Sequence, residues 1–236
     1  MLLDVQNLQV RYANGALGVT NSSLKVDEGQ IVVLFGANGA GKTTIVKMLL
    51  DFIRPSSGSL SLSGIPSTLA ECRQSIGYLA ENHHIPQFLT GWQYLQRCAE
   101  LLDISRSEAA DHCRRIVELI GMQGRENTKV GTYSKGMVQR FGLGAALMGD
   151  PKLLILDEPT SGLDPIGIRE MRQLLESLKS QGMTIFLNSH LLSEVEKICD
   201  TAAIINRGKL LVKDAICNIV KDGETLEDVF VRLVKG

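Results

Sequence analysis

The stretch GANGAGKTT, from Gly36 to Thr44, contains three glycines, one lysine and two threonines. It follows the wholly apolar run Ile31–Phe35, which predicts a strand buried on both faces. The residues from Thr44 to Leu50 predict a helix. Because a glycine-rich stretch is a poor core former, it is either a loose connection between strand and helix or a loop with a binding role.

The spacing Gly36-x-x-x-x-Gly41-Lys42-Thr43 matches a P-loop and has the preceding strand and following helix that such a loop requires. Glycines allow consecutive backbone N–H groups to turn towards phosphate oxygens. Lys42 would bring a positive charge to the β- and γ-phosphates, and the Thr43 hydroxyl would bind Mg²⁺. The motif therefore predicts nucleotide binding and includes the other residues of the stretch: Ala37, Asn38, Gly39, Ala40 and Thr44.

Two adjacent carboxylates, Asp157 and Glu158, follow the apolar run Leu153–Leu156. Open α/β sheets bind ligands at the carboxyl ends of their strands, and we expect this strand to lie beside the P-loop strand. Asp157 would then hold Mg²⁺, and Glu158 would orient and deprotonate an attacking water. The alternative, a strand that ends in solvated acids, is disfavoured by that expected position.

Apolar runs alternate with helical patterns, which is typical of a mainly parallel sheet flanked by helices. Continuous apolar runs predict fully buried strands: Ile31–Phe35, Leu153–Leu156, Thr184–Asn188 and Ala202–Ile205. Runs of alternating polarity predict half-exposed antiparallel strands: Leu3–Tyr12, Gly18–Val26 and Leu60–Ser63. The fold class is therefore α/β with an antiparallel β subdomain, and the resemblance of the glycine-rich loop to a P-loop implies a P-loop NTPase core of the RecA-like type.

No strand-like run occurs between residues 88 and 149, so we expect an all-helical insert there. Capping-box spacing marks the start of two helices, at Thr90 with Gln93 and at Ser105 with Glu108. The chain would form one domain with three parts: an α/β core at 1–84 and 150–214, the helical insert at 85–149, and a C-terminal tail at 215–236.

The formal net charge of −1 does not indicate a nucleic-acid partner. The five cysteines occur singly, which argues for a reducing compartment and against a disulfide framework or a zinc site. No N-terminal signal pattern is recognised, and no apolar run approaches the ~20 residues of a membrane span. We therefore expect a soluble cytosolic chain, which a partner would have to hold at any membrane.

Three further motifs make nearly the whole chain resemble the nucleotide-binding subunit of an ABC transporter. Tyr133-Ser134-Lys135-Gly136-Met137 stands where that family has its signature, and Ser161-Gly162-Leu163-Asp164 is similar to its D-loop. His190 is similar to the switch histidine of the family. The resemblance implies that the chain binds ATP and Mg²⁺ and hydrolyses ATP.

The resemblance assigns further roles. His190 would contact the γ-phosphate, and Tyr12 would stack on adenine, with a half-buried strand tyrosine as the alternative. The signature begins a predicted helix, whose N-terminus favours an anion. In this family that anion is the γ-phosphate of ATP on the opposite subunit. The residues implied in this contact are Ser134, Lys135 and Gly136, with Asp164 of the D-loop also assigned to the nucleotide site.

Two motifs depart from the usual family pattern. Glu81 takes the place of the Q-loop glutamine and could still meet Mg²⁺ or the attacking water. Lys135 and Met137 replace a glycine and a glutamine of the signature. Both changes resemble the "GYLPE" and "YSKGM" strings of export-type subunits, whereas Ala37 is similar to the P-loop of amino-acid importers.

The resemblance also implies partners. One is a second nucleotide-binding subunit, in a homodimer or heterodimer that closes on ATP. The others are transmembrane permease subunits, which would contact a groove near Glu81 to Tyr94 and hold the chain at the inner face of the cell membrane. Phe88 and Trp92 either pack inside the helical insert or form the docking patch. The pair His83-His84 predicts an ordinary loop rather than a metal site.

A soluble ABC ATPase that moves nothing across a membrane is the main alternative, although such proteins usually carry two cassettes, coiled-coil insertions or basic arms. A GTPase or nucleotide kinase lacks support because the chain has no N-K-x-D string and the signature would be unexplained. A non-catalytic cassette conflicts with the presence of Lys42, Asp157, Glu158 and His190.

Overall fold

The computed structural model describes residues 1–12, 15, 17–189, 195–221 and 223–235. The chain forms two compact units: unit 1 comprises Met1–Gln74 and Glu176–Gly236, and unit 2 comprises Ser75–Leu175. Within the described residues the strands are β1 (Leu3–Arg11), β2 (Leu17–Val26), β3 (Ile31–Phe35), β4 (Ser57–Leu62), β5 (Ile65–Pro66), β6 (Ile76–Leu79), β7 (Leu153–Asp157), β8 (Thr184–Asn188), β9 (Thr201–Asn206) and β10 (Lys209–Ala215).

The helices of the described residues are α1 (Lys42–Leu49), α2 (Ala70–Gln74), α3 (Gly91–Leu101), α4 (Arg106–Leu119), α5 (Lys135–Leu147), α6 (Pro165–Ser180), α7 (Ile216–Ile219) and α8 (Leu226–Lys235). A short 3₁₀ helix covers Val130–Thr132. In the parts of the chain that the structure describes, no helix is both long enough and apolar enough to cross a membrane.

The antiparallel sheet of unit 1 has the strand order β2-β1-β4-β5. Leu3 of β1 lies opposite Val26 of β2 on one side and Leu62 of β4 on the other. These three side chains are almost fully buried, because alternation along each strand turns its apolar residues to one face. The expected antiparallel strands are confirmed, and the short β5 is an addition that the sequence pattern did not predict.

The parallel strands of unit 1 carry the P-loop. β3 pairs in parallel with β8 on one edge and with β9 on the other, and β10 pairs antiparallel with β9. All residues of β3 and β8 are buried, as the continuous apolar runs predicted. Helix α8 packs here as well, since the ring of Phe230 meets that of Phe35 edge-on with centroids 4.8 Å apart.

The neighbour predicted for the P-loop strand is wrong. Both edges of β3 are occupied by β8 and β9, so β7, which ends in the acidic pair, is not its neighbour. An apolar run identifies a buried strand, but it does not specify strand order, which depends on the crossover connections.

Unit 2 contains the parallel pair β6 and β7 together with helices α3, α4 and α5. Every residue from 88 to 149 is described, and none belongs to a strand, so the helical character of this region is confirmed apart from a single bridge between Thr90 and Lys129. The buried Phe141 of α5 stacks on Tyr133 and lies against Gly91, where a Cβ atom would come within 2.2 Å of its ring.

The two predicted capping boxes have different outcomes. Thr90 forms the full box, because its hydroxyl accepts from the Gln93 N–H while the Gln93 side chain accepts from the Thr90 N–H. Ser105 precedes α4 as predicted, but its hydroxyl donates to the Glu108 carboxylate at 2.6 Å and makes no bond to the helix backbone. The prediction of a second box is therefore wrong, since the two side chains satisfy one another instead of the helix end.

Candidate functional site

Two glycines of the P-loop, Gly36 and Gly41, lie in close approach to neighbouring strands. A Cβ atom at Gly36 would lie 2.2 Å from the carbonyl oxygen of Ile205 in β9. Gly41 has a φ of 107°, and a Cβ there would lie 2.6 Å from the carbonyl oxygen of Gly18. The Gly208 N–H also donates to the Ala40 carbonyl at 2.8 Å. The stretch is therefore a tightly held loop, and the loose-connection alternative is wrong.

Lys42 begins helix α1 and folds back over the loop. Its ammonium group donates to the Gly36 carbonyl at 2.7 Å and to the Ala37 carbonyl at 3.3 Å, and the side chain is buried. No side chain caps the N-terminus of α1, which starts after the left-handed Gly41. The first N–H groups of a helix lack intrahelical acceptors and carry positive potential. The loop thus brings a cation and a helix N-terminus together, as phosphate binding requires.

Tyr12 lies beside the P-loop, one residue beyond the end of β1. Its hydroxyl is 2.8 Å from the hydroxyl of Thr44, and its ring covers Gly18, where a Cβ would come within 2.7 Å of the ring. The side chain remains 37% exposed. An aromatic ring held open to solvent beside a phosphate loop fits a base-stacking role.

Glu81 and Asp157 of unit 2 follow or end two neighbouring strands at one edge of a sheet. Asp157 ends β7, and Glu81 follows the neighbouring β6, in which Leu79 is paired with Leu156. Burial, together with the negative charges of Asp157 and Glu81, raises the pKa of Tyr78 in β6. Both carboxylates therefore act on the same side chain, and the pairing of β6 with β7 brings Glu81 and Asp157 to one edge of the sheet.

Asp157 and Glu158 are only 7% and 8% exposed, so the alternative of solvated acids at a strand end is wrong. Glu158 also has a φ of 51°, a left-handed conformation that is uncommon for a residue with a long side chain. Such backbone outliers cluster at functional sites, where the surrounding structure holds them in place. Carboxylate oxygens are ligands that Mg²⁺ prefers, so the chemistry of this pair fits a metal-dependent site.

The signature lies at the start of α5. The Ser134 hydroxyl accepts from the Met137 N–H at 3.3 Å as the N-cap of this helix. The exposed Lys135 side chain lies across Gly162, which has a φ of 68° and no Cβ to obstruct it. A Cβ atom added at Gly136 would lie 3.9 Å from Cδ2 of Leu163. The structure therefore brings the signature and the D-loop together.

Two further contacts support this part of unit 2. The buried Gln139 of α5 donates to the Pro159 carbonyl at 3.0 Å, which ties the signature helix to the chain after Glu158. Asp164 accepts from the Gly167 N–H at 2.8 Å and so caps α6, as its position before Pro165 predicted. The role of Gln139 was missed because an isolated glutamine in a helix carries no sequence signal.

The remaining predicted residues have separate outcomes. His190 lies outside the described residues. Phe88 is 75% exposed, so its packing inside the helical insert is wrong, whereas Trp92 is half-buried. His83 and His84 lie in a loop, as predicted, and the two ring nitrogens of His83 lie 3.2 Å from the carbonyl oxygens of Ala80 and Val138.

Comparison with known sequences assigns a family. A sequence model of the ABC transporter family matches residues 19–161. The chain is 44% identical over 205 residues to an uncharacterized ABC transporter ATP-binding protein of Nostoc, covering 86% of this chain and 61% of that protein. It is 36% identical over 230 residues to the lantibiotic transport ATP-binding protein SrtF of Streptococcus pyogenes, covering 97% and 96%.

A further relative is the bacitracin transport ATP-binding protein BcrA of Bacillus licheniformis. It is 43% identical over 199 residues, and the match covers 82% of this chain and 63% of that protein. The chain thus spans about three fifths of the length of the Nostoc and Bacillus relatives and nearly all of the Streptococcus one.

A solved structure of an ATP-binding subunit of an ABC transporter superposes with a TM-score of 0.87 at 28% identity, covering 99% of this chain and 100% of that one. The structure of cbiO1 from Clostridium perfringens has a TM-score of 0.88 at 24% identity over 99% and 96%, and supports the fold alone. The α/β P-loop NTPase fold is therefore confirmed. The chain belongs to the ABC transporter ATP-binding family, whose members hydrolyse ATP to drive transport.

Proposed function

We propose that this chain is the ATP-hydrolysing subunit of an export-type ABC transporter, closing on ATP with a second subunit and acting through permease partners. The proposal is carried by two helix N-termini, whose free N–H groups and positive potential attract anions. One is the start of α1 at Gly41-Lys42, and the other is the start of α5 at Ser134. In a head-to-tail pair, the first would hold ATP and the second would reach the γ-phosphate of ATP on the other subunit.

Within one subunit, the P-loop residues Gly36 to Thr44 hold the phosphates, with Lys42 on the β- and γ-phosphates. ATP would displace the Gly36 and Ala37 carbonyls as partners of the ammonium group, exchanging neutral acceptors for charged ones. Tyr12 stacks on adenine. A loop that is held by close backbone contacts needs little ordering on binding, which favours affinity.

The metal ligands we propose are Thr43, Asp157 and Glu81. A bound Mg²⁺ supplies charge neutralisation for the β- and γ-phosphates. Glu81 carries a full negative charge where an amide is usual in the family, so it adds attraction for the metal. The shared sheet edge of Glu81 and Asp157 supports their joint role.

Glu158 accepts the proton of the attacking water as the general base. Its buried side chain and unusual left-handed backbone are consistent with a residue held in place by its surroundings, and pre-positioning is what a base needs to act on one water. His190 contacts the γ-phosphate. On the opposite subunit Ser134, Lys135 and Gly136 meet the same phosphate, and Asp164 of the D-loop belongs to the same nucleotide site.

Hydrolysis opens the dimer because the γ-phosphate is the group that both subunits hold. Each charge-assisted hydrogen bond to this phosphate contributes ~1.5–3 kcal/mol, and removing a few of them shifts a two-state equilibrium by orders of magnitude. ATP binding would therefore close the pair and hydrolysis would release it, whether the second subunit is a copy of this chain or a homologue.

Permease subunits would receive this motion at the segment from Glu81 to Tyr94. Phe88, which is 75% exposed, would supply apolar contact area to such a docking surface. The chain would then lie on the cytoplasmic face of the membrane, held by these partners. The near-neutral charge gives no support to a nucleic-acid partner.

Export is favoured by the transport systems named for relatives, lantibiotic and bacitracin, and by the signature YSKGM. The alternative is a soluble ABC ATPase without a permease. Copurification separates the two: a transporter subunit brings a multi-span membrane protein with it, and a soluble ATPase does not.

The test of the ATP-driven dimer uses Glu158→Gln. This variant should bind ATP with wild-type affinity, hydrolyse it at least ~100-fold more slowly for want of a base, and run as a dimer with Mg–ATP in light scattering. With ADP it should run as a monomer. Glu176→Gln, an exposed charge removal on α6, is the matched control. Wild-type hydrolysis by Glu158→Gln would contradict the proposed base.

A further inference from the structure

His83 connects the loop of Glu81 with the signature helix α5. In the proposed function these two parts of unit 2 act on two different ATP molecules. Its Nδ1 lies 3.2 Å from the carbonyl oxygen of Ala80, the residue immediately before Glu81. Its Nε2 lies 3.2 Å from the carbonyl oxygen of Val138, one turn into the helix that Ser134 caps. The imidazole ring therefore bridges the loop of Glu81 and the signature helix.

Both partners of the ring are acceptors. A carbonyl oxygen has two lone pairs, so the Val138 carbonyl can serve its own helix and the imidazole together. A neutral imidazole has one N–H group and donates to one of the two carbonyls, whereas the protonated ring donates to both. In either state the ring holds at least one hydrogen bond that is partly shielded from water.

The signature helix is shaped to receive this ring. A Cβ atom at Gly142 would lie 2.4 Å from Nε2 and 2.8 Å from Cδ2 of His83, and 2.8 Å from Cδ1 of Leu79. Glycine is a poorer helix former than alanine, yet it stands inside α5, with buried surroundings. The close approach of the imidazole ring explains why this position has no side chain.

We propose that His83 is a positioning residue that couples the two ATP sites of the closed dimer. The inference rests on the proposed function, in which Glu81 acts on the ATP held by its own subunit and Ser134 acts on the ATP held by the other. Because His83 ties the backbone beside Glu81 to the helix of Ser134, the two groups keep one mutual geometry when the dimer closes. The P-loop takes no part in this tie, so His83 affects hydrolysis and not the first binding of ATP.

The experiment measures kcat and KM for Mg–ATP hydrolysis, and separately the dissociation constant for ATP, in the purified chain. His83→Ala should lower kcat about tenfold, as expected for a hydrogen bond removed beside reacting groups, with ATP affinity within twofold of wild type. His83→Gln, which keeps one amide donor, should recover part of kcat. His112→Gln, a half-buried histidine of α4, is the matched control and should match wild type.

Gly142→Ala gives an independent arm, because alanine favours the helix but its methyl group displaces the imidazole. It should lower kcat as His83→Ala does, and the double variant should be no slower than His83→Ala. This arm remains informative if His83→Ala folds poorly. Equal losses of ATP affinity and kcat would mean a merely structural role and would overturn the inference.

Unchanged kcat in both His83→Ala and Gly142→Ala would also overturn it. The proposed function would still stand in that case, provided that Glu158→Gln abolishes hydrolysis. Failure of the wild-type chain to hydrolyse ATP would instead contradict the proposed function itself.

Discussion

The hydroxyl group of Tyr12 lies 2.8 Å from that of Thr44, so the end of β1 is tied to the first turn of α1. The ring lies close to Gly18, and the side chain is 37% exposed. The tie predicts how two substitutions of Tyr12 will differ. Tyr12→Phe keeps the ring and should change ATP affinity less than about threefold. Tyr12→Ala should weaken it roughly 5- to 100-fold, the range of base stacking on an aromatic ring.

Calorimetric titration of Mg–ATP into the purified variants measures this difference. Leu17→Ala, an exposed residue in β2, is a suitable control. If Tyr12→Ala binds ATP like the wild type, Tyr12 has no role at the base.

Alanine substitutions of the P-loop glycines should separate steric clash from backbone strain. Gly36→Ala places a methyl group 2.2 Å from a backbone carbonyl, so it should destabilise the chain by about 1–3 kcal/mol or more and weaken ATP binding. In Gly39→Ala the new methyl group has no atom within 4 Å, so the only loss of unfolding free energy comes from placing alanine at a φ of 78°. That loss should be roughly 1 kcal/mol. Urea denaturation gives both values, and equal costs would contradict the described packing.

The capping difference between Thr90 and Ser105 is testable in the same way. Thr90→Ala removes a complete capping box and should cost about 0.5–2 kcal/mol of unfolding free energy. Ser105→Ala removes a hydroxyl that contacts only the exposed side chains of Ser107 and Glu108 and no helix N–H group, so it should cost less than about 0.5 kcal/mol. A larger loss for Ser105→Ala would mean that its hydroxyl caps α4 in solution.

Thiol labelling follows from the burial of the cysteines. Burial raises the pKa of Cys72, Cys113 and Cys199, whereas Cys217 is exposed. Because the thiolate is the reactive form, Cys217 should react first at pH 8 in the native chain, and the buried three only on unfolding. Mass spectrometry of labelled peptides identifies each site, and rapid native labelling of Cys199 would contradict this order.

The raised pKa values of the buried thiols also determine how the free energy of unfolding depends on pH. The folded thiols keep their protons at a pH where the unfolded thiols ionise, near 8.5. Their contribution is therefore fully present below about pH 8.5, and the free energy of unfolding should fall as pH rises further.

The sequence predicted the parts of the fold that local patterns encode. The continuous apolar runs located β3, β7, β8 and β9, and the P-loop spacing located the phosphate site, because burial and glycine geometry leave direct marks on residue type. The edge strand β10 was missed, since Leu210-Leu211-Val212 is short and flanked by lysines.

Tertiary arrangement was less accessible. β7 was expected beside the P-loop strand β3, and this was wrong. Local sequence patterns identify a buried strand but do not show which strands lie next to it in the sheet. The roles of His83 and Gln139 depend on which backbone carbonyls lie nearby, and such partners are distant in sequence. The acidic pair was recognised from its position after a buried apolar run, whereas the signature was recognised only through its resemblance to a family.

The most direct measurement is a structure of Glu158→Gln with bound Mg–ATP. The account predicts that each γ-phosphate lies within hydrogen-bonding distance of Lys42 Nζ in one copy and of Ser134 Oγ in another. Finding those two groups far apart in every pairing of copies, with ATP bound at the P-loop, would contradict it.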